Sequence, residues 1–384
     1  METNVKKGTI TWLSVAHLVC DTYSGFMNPL MPFIALKLGI SLGLATIIIS
    51  ISHVCSSMLQ PLFGFLADNT LKRIFVFWGL VLISVFVPLT PIAPNIGILI
   101  LFMILGSLGG SFFHPQGTGF VHKFAQPNSN AMGWFMSFGS IGFSLGPLLA
   151  AFVVQYMGME KLPLTTILGL VTAGLMFNFL PKLSGGGELV QKKQFFDTFV
   201  KVFENQQIRY LLMISMMKTL VTNSACILLP FLWRDMGCSP FYIGAALFSF
   251  IFAGGIASFV SHKVEKLIGT KNLLYISMCA TLPLIVGFAI TYQSHKVLSL
   301  IFFLLMGFVT MLAQPVTVVM AQRLMPEYKS VLAGLMVGFS WGVVAVALSV
   351  IGVVAEKVGI INTLVVLFVL PIFATYYVRR LKTF

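Results

Sequence analysis

Apolar runs of about 20 residues, the length that carries a helix across a hydrocarbon core, recur along nearly the whole of the 384-residue chain. Short polar or charged breaks separate them. The pattern predicts spans at 9–36, 42–66, 73–93, 95–121, 130–157, 162–181, 208–233, 240–262, 271–292, 296–321, 330–354 and 359–379. An all-α membrane protein of twelve transmembrane helices follows. Lys6 and Lys7 run straight into the first span, with no small-residue cleavage site behind a short apolar core, so that span is expected to stay in the mature chain.

The spans fall into two related sets. Pro32-Phe33-Ile34-Ala35-Leu36-Lys37-Leu38-Gly39-Ile40-Ser41, leaving the first span, resembles Pro230-Phe231-Leu232-Trp233-Arg234-Asp235-Met236-Gly237-Cys238-Ser239, leaving the seventh, at an offset of 198. His114-Pro115 matches Gln314-Pro315 at 200, and Gly133 and Phe138 match Gly334 and Phe339 at 201. Three nearly equal offsets in one order indicate a tandem duplication of six spans. The expected organisation is two pseudo-symmetric six-helix bundles, 1–181 and 208–384, joined by a cytoplasmic linker at 182–207 that is Gly-rich at Gly185-Gly186-Gly187. From Lys192 to Glu204 the apolar periodicity leaves a surface-lying helix and a solvated linker both open.

Composition excludes a water-soluble fold, since 58% of residues are hydrophobic, 9% are charged and the mean hydropathy is +0.96. The formal charge of +13 is informative through its distribution. With the N-terminus inside, 18 Lys and Arg fall on inner segments and five, Lys37, Lys161, Arg234, Lys296 and Lys357, on outer loops. That asymmetry predicts both termini on the cytoplasmic face and anionic lipid headgroups, not nucleic acid, as the partner of the basic residues. The five cysteines have no metal-ligand spacing and read as packing residues.

The loop Gly64-Phe65-Leu66-Ala67-Asp68-Asn69-Thr70-Leu71-Lys72-Arg73 resembles the loop signature of the major facilitator superfamily, with Asn69 in place of the usual arginine and Leu71 in place of a glycine. Gly64 allows close helix approach, Asp68 suits a helix N-terminus, and Lys72 and Arg73 anchor at the inner surface. Gly133, Gly142 and Gly146-Pro147 reproduce the spacing of that superfamily's antiporter signature, whose closing glycine pair is Ala150-Ala151 here. Such glycines bare one helix face for a neighbour, and the proline kinks the helix; simple helix packing is the alternative reading. His17 with Asp21, Gln60-Pro61-Leu62-Phe63-Gly64, Phe113-His114-Pro115 and Gly142-Phe143-Ser144-Leu145-Gly146-Pro147 are similar to fosmidomycin-resistance-type exporters. The resemblance implies a major facilitator fold in a bacterial cytoplasmic (inner) membrane and proton-coupled efflux of a small antibiotic or metabolite. Uptake of an organic acid or sugar by proton symport is the alternative within transport.

A charged side chain in mid-span costs about 2.5 kcal/mol or more, which makes it a functional candidate. Two lie deep in the predicted spans, Asp21 and Lys218. His17 and Asp21, four apart, share a helix face. The 198-residue offset sets Lys218 opposite Cys20, so Asp21 and Lys218 are expected at similar depth as partners. Asp21, with His17 and His114, is the expected proton-coupling group, and Lys218 the expected attractor of an anionic substrate; a permanent structural bridge between Asp21 and Lys218 is the alternative. His114 precedes Pro115, which frees a backbone carbonyl, and either lines a cavity or bonds that carbonyl. Tyr23, Asn28, Gln116, Asn223 and Gln314 are further substrate-binding candidates, each equally explicable as an interhelical hydrogen bond. No nucleophile elbow, metal-spaced cluster or phosphate-binding glycine loop is found, so no enzyme activity, metal or cofactor is expected. The expected partners are a small-molecule substrate, protons and the bilayer, with the protein a monomer.

Overall fold

The structure, a computed structural model, describes residues 2–60, 63, 73–125, 130–181 and 200–382. Gly64, Asp68 and Lys72 of the loop signature and most of the predicted linker, 182–199, lie outside the described residues. Among those described there are helices and turns but no strand, as expected for a chain whose backbone amides find no water in a lipid core.

The first predicted span is two helices, α1 (Glu2–Ser24) and α2 (Met27–Leu38). The break falls at Gly25-Phe26 because Pro29 has no N–H to offer the Gly25 carbonyl and its ring crowds that carbonyl. Gly39 closes α2 in the left-handed region at φ 63°, and its N–H reaches the Leu36 carbonyl. Next come α3 (Leu42–Met58), α4 (Arg73–Leu89), α5 (Ile96–Phe124), α6 (Ala131–Met157) and α7 (Thr166–Phe179). Asn95 caps α5 by accepting from the Ile98 N–H at 3.0 Å.

The second half begins with α8 (Gln206–Asp235), capped by Asn205, and α9 (Pro240–Ile268). The ninth predicted span is interrupted at Ala280, giving α10 (Thr270–Cys279) and α11 (Thr281–Thr291); the chain then forms α12 (Lys296–Leu324). The eleventh span is α13 (Lys329–Gly334), a π-helical turn at Leu335–Phe339 and α14 (Ser340–Val358). The last is split into α15 (Ile360–Leu367) and α16 (Leu370–Arg380), where Pro371 opens the new helix. Among the described residues, ten helical stretches of 20–30 residues are long and apolar enough to cross a membrane, and α3 is a shorter apolar helix.

The chain forms two compact units. The first comprises residues 1–40, 51–190 and 237–245, the second 41–50, 191–236 and 246–384. Each unit thus takes the opening turns of one helix, α3 or α9, from the other half of the sequence. In the first unit, α1 packs on α5, α6 and α7. A Cβ on Gly142 would lie 2.0 Å from the Leu18 carbonyl oxygen and one on Gly146 2.3 Å from that of Thr22, so α6 rests backbone to backbone on α1. Gly244 of α9 meets Pro147 and Ala151 of α6 in the same way.

In the second unit α8 is the most enclosed helix, buried almost without a break from Lys218 to Phe231. Ile208, Leu211 and Ile214 join Leu273, Met336 and Val378 in its core. The start of α3 lies against α14. Gly352 leaves room for the Thr46 hydroxyl, and the Glu356 carboxylate accepts from the Gly43 N–H at 2.6 Å.

Candidate functional site

The predicted proton-coupling residues come together in the first unit. His17 and Asp21 sit one turn apart on α1, and the Asp21 Oδ2 lies 3.2 Å from His17 Nε2. His114 enters from α5, with its Nε2 3.3 Å from Asp21 Oδ1. Of the two readings for His114, the Pro115-freed carbonyl is thus not the partner; the carboxylate is. His17 is 6% exposed, Asp21 16% and His114 27%, so the second ring is the freer one.

His17 is held on three sides. Its Nδ1 lies 2.8 Å from the Phe135 carbonyl, its ring stacks on the Phe135 ring at 4.1 Å, and Gly139 of α6 leaves it space. A Cβ on Gly139 would sit 2.5 Å from His17 Nε2 and 2.8 Å from Asp21 Oδ2. A carbonyl only accepts, so Nδ1 donates, and in a neutral imidazole Nε2 then carries a lone pair. That lone pair faces a carboxylate oxygen at 3.2 Å. Two acceptors in contact repel, so the pair requires a proton or another cation between them.

The remaining candidates divide. The Tyr23 hydroxyl is fully engaged with backbone: it donates to the Thr165 carbonyl and accepts from the Gly169 N–H at 3.1 Å. Tyr23 is wholly buried and ties α1 to the start of α7, the interhelical hydrogen bond that its sequence reading left open beside substrate binding. Arg73 donates to the Phe177 and Leu180 carbonyls at 3.1 and 3.2 Å and lies over the Phe177 ring, fastening α4 to the end of α7. A Cβ on Gly133 would meet none of the described residues, so of the antiporter-signature residues Gly142, Gly146 and Pro147 make the close contacts among the described residues and Gly133 does not.

Gln116, on α5, is buried, and neither end of its amide meets a partner among the described residues. Asn28, on α2, is half-buried. In the second unit Lys218 is 1% exposed and has no hydrogen-bond or ion-pair partner among the described residues. The Asn223 Nδ2 and Gln314 Nε2 donors are likewise buried without acceptors. Asp21 and Lys218 belong to different units.

The sequence alone passed over Gly139 and the Phe135 carbonyl. Gly139 was readable, since it precedes Gly142 by three residues and extends the same glycine face. The carbonyl carries no side-chain signal.

The model of the Major Facilitator Superfamily matches residues 13–331. The chain belongs to that superfamily. It is a multi-pass membrane transporter and not an enzyme. The fosmidomycin resistance protein of Escherichia coli K12 is 23% identical over 371 residues, covering 92% of this chain and 87% of that protein. The MFS-type transporter YfnC of Bacillus subtilis 168 is 24% identical over 385 residues, covering 94% and 89%. Among solved structures, a variant of the nucleoside transporter NupG aligns with a TM-score of 0.74 at 15% identity, over 98% of this chain and 100% of that one, which establishes the major facilitator fold.

Proposed function

We propose that this superfamily member is a proton-coupled antiporter that exports a small anionic antibiotic or metabolite by alternating access. It works as a monomer in the bacterial inner membrane, with both termini in the cytoplasm. The reading rests on the proton that the contact of His17 Nε2 with Asp21 needs. A group that must take up a cation to relieve repulsion, set in a membrane transporter with a second imidazole beside it, has the chemistry of a proton carrier.

Substrate charge is argued from the second unit. Lys218 supplies a buried cation, Asn223 and Gln314 supply buried donors without acceptors among the described residues, and carboxylate or phosphoryl oxygens supply acceptors. Gln116 contributes an amide from the first unit, and Asn28 a further polar contact. In this reading Asp21 carries the coupling proton and Lys218 attracts the anionic substrate. The relative named for fosmidomycin resistance favours export over uptake.

Expression in a sensitive bacterial strain is expected to raise tolerance to small anionic antibiotics. Asp21→Asn and Lys218→Gln are each expected to return tolerance to the vector level while the protein remains in the membrane. In vesicles, an imposed pH gradient should drive counterflow of the exported compound. Undiminished coupling in Asp21→Asn, or transport driven by a sodium gradient and not by a pH gradient, would sink the proposal.

A further inference from the structure

The cation that the Asp21 contacts need is not restricted to a proton. We propose that His17, Asp21 and His114 form a binding site for a divalent first-row transition metal ion, of which Zn2+ is the type. Among the described residues they are the one group of three His, Cys, Asp or Glu side chains able to hold such an ion, with donor atoms within 4.8 Å of one another.

Three features carry it. The first is tautomer. The bond from His17 Nδ1–H to the Phe135 carbonyl is the outer-shell contact that metal-binding histidines make, because it leaves Nε2 unprotonated and fixes the plane of the ring. The second is spacing. Bonds of about 2.0 Å to a tetrahedral ion set neighbouring ligand atoms roughly 3.3 Å apart. His17 Nε2 already stands at that distance from Asp21 Oδ2, 3.2 Å, while His114 Nε2 is 3.3 Å from the other carboxylate oxygen, Oδ1. His114, the more exposed ring, is free to close on an ion that His17 and Asp21 already hold. The third is room. Gly139 places no side chain against His17 Nε2 and Asp21 Oδ2, where a methyl group would stand 2.5 and 2.8 Å away.

Two imidazoles and one carboxylate select Zn2+, Co2+, Ni2+ or Cu2+ over Mg2+ and Ca2+, which prefer sites made wholly of oxygen. Three protein ligands leave a fourth position for water or an anionic group. Binding stands on geometry alone. Its consequence for transport rests on the proposed coupling role of the same atoms: the metal takes the lone pairs that the proton would use, so it inhibits, and less so as the pH falls.

The test uses the full-length protein in detergent or nanodiscs, titrated with Co2+, whose tetrahedral complexes absorb visibly. One equivalent is expected to give that absorption and Zn2+ to abolish it. His17→Gln and His114→Gln should each weaken binding at least tenfold, while a His122→Ala/His262→Ala variant, altered only at the inner surface, should bind as the parent does. Gly139→Ala should weaken binding too, with both histidines intact. Absence of the band in the folded parent protein, or a band that survives His17→Gln and His114→Gln together, overturns the proposal. The outcomes separate from those of the transport reading. Co2+ binding with full coupling in Asp21→Asn keeps the metal site and removes the proton role, whereas lost coupling in that variant with no Co2+ binding by the parent does the reverse.

Discussion

Tyr23 and Asp21 lie two positions apart on α1, and both are polar groups in a predicted span, yet their surroundings give them opposite roles. Tyr23 bridges the Thr165 carbonyl and the Gly169 N–H, while Asp21 faces two imidazoles. Tyr23→Phe leaves a buried N–H without an acceptor, so it is expected to destabilise the protein by about 1–3 kcal/mol. Thermal unfolding in detergent should register that loss while substrate affinity stays that of the parent. The pairing of His17 with Asp21 was legible in the sequence, since four residues make one helical turn. His114 was grouped with them as a coupling residue, but its contact with Asp21, 93 positions away, comes from the packing of α5 on α1, which no local spacing reveals. The partner of Tyr23 was not legible for a related reason: its acceptor is a carbonyl in the turn before α7, which no pattern of side chains reveals.

At the level of elements, the close approach of α1 and α6 depends on which glycines touch. Gly142→Ala would force a methyl group against the Leu18 carbonyl, and neither backbone can yield. A cost of about 3 kcal/mol or more is expected, seen as loss of folded protein on size-exclusion chromatography. Gly133→Ala meets no atom of the described residues and should keep stability within about 0.5 kcal/mol, with transport unchanged. A loss of activity in Gly133→Ala equal to that in Gly142→Ala would show that spacing within the signature, and not contact, is what matters. Helix existence was legible throughout, because apolar length sets it. The interruptions at Gly25-Phe26 and Ala280 were not drawn, as a hydropathy window reads through one altered turn. Pro29 was the available sign of the first.

For the whole molecule, the duplication predicted two bundles, 1–181 and 208–384; residues 41–50 and 237–245 are exceptions to any cut in chain order, grouped with the second and the first compact unit respectively. The exceptions lie at the starts of α3 and α9, and sequence could not flag them, since the glycines concerned look like ordinary helix-packing positions. Glu356 accepts from the first turn of α3 through Gly43, and a carboxylate at a helix N-terminus is favourable. Glu356→Ala is expected to speed hydrogen exchange across residues 41–50 in mass-spectrometric measurements, with exchange in α5 and α6 unaltered; equal exchange across 41–50 would remove Glu356 from that role. The same contact sets a timetable for biosynthesis. Gly43 and Glu356 are 313 positions apart, and at roughly 5–20 residues per second the ribosome needs on the order of 15–60 s to deliver the second after the first. The opening turn of α3 therefore enters the membrane long before its partner exists, and a nascent chain stopped after six spans carries an unfinished face that chaperones or the insertion machinery must shelter.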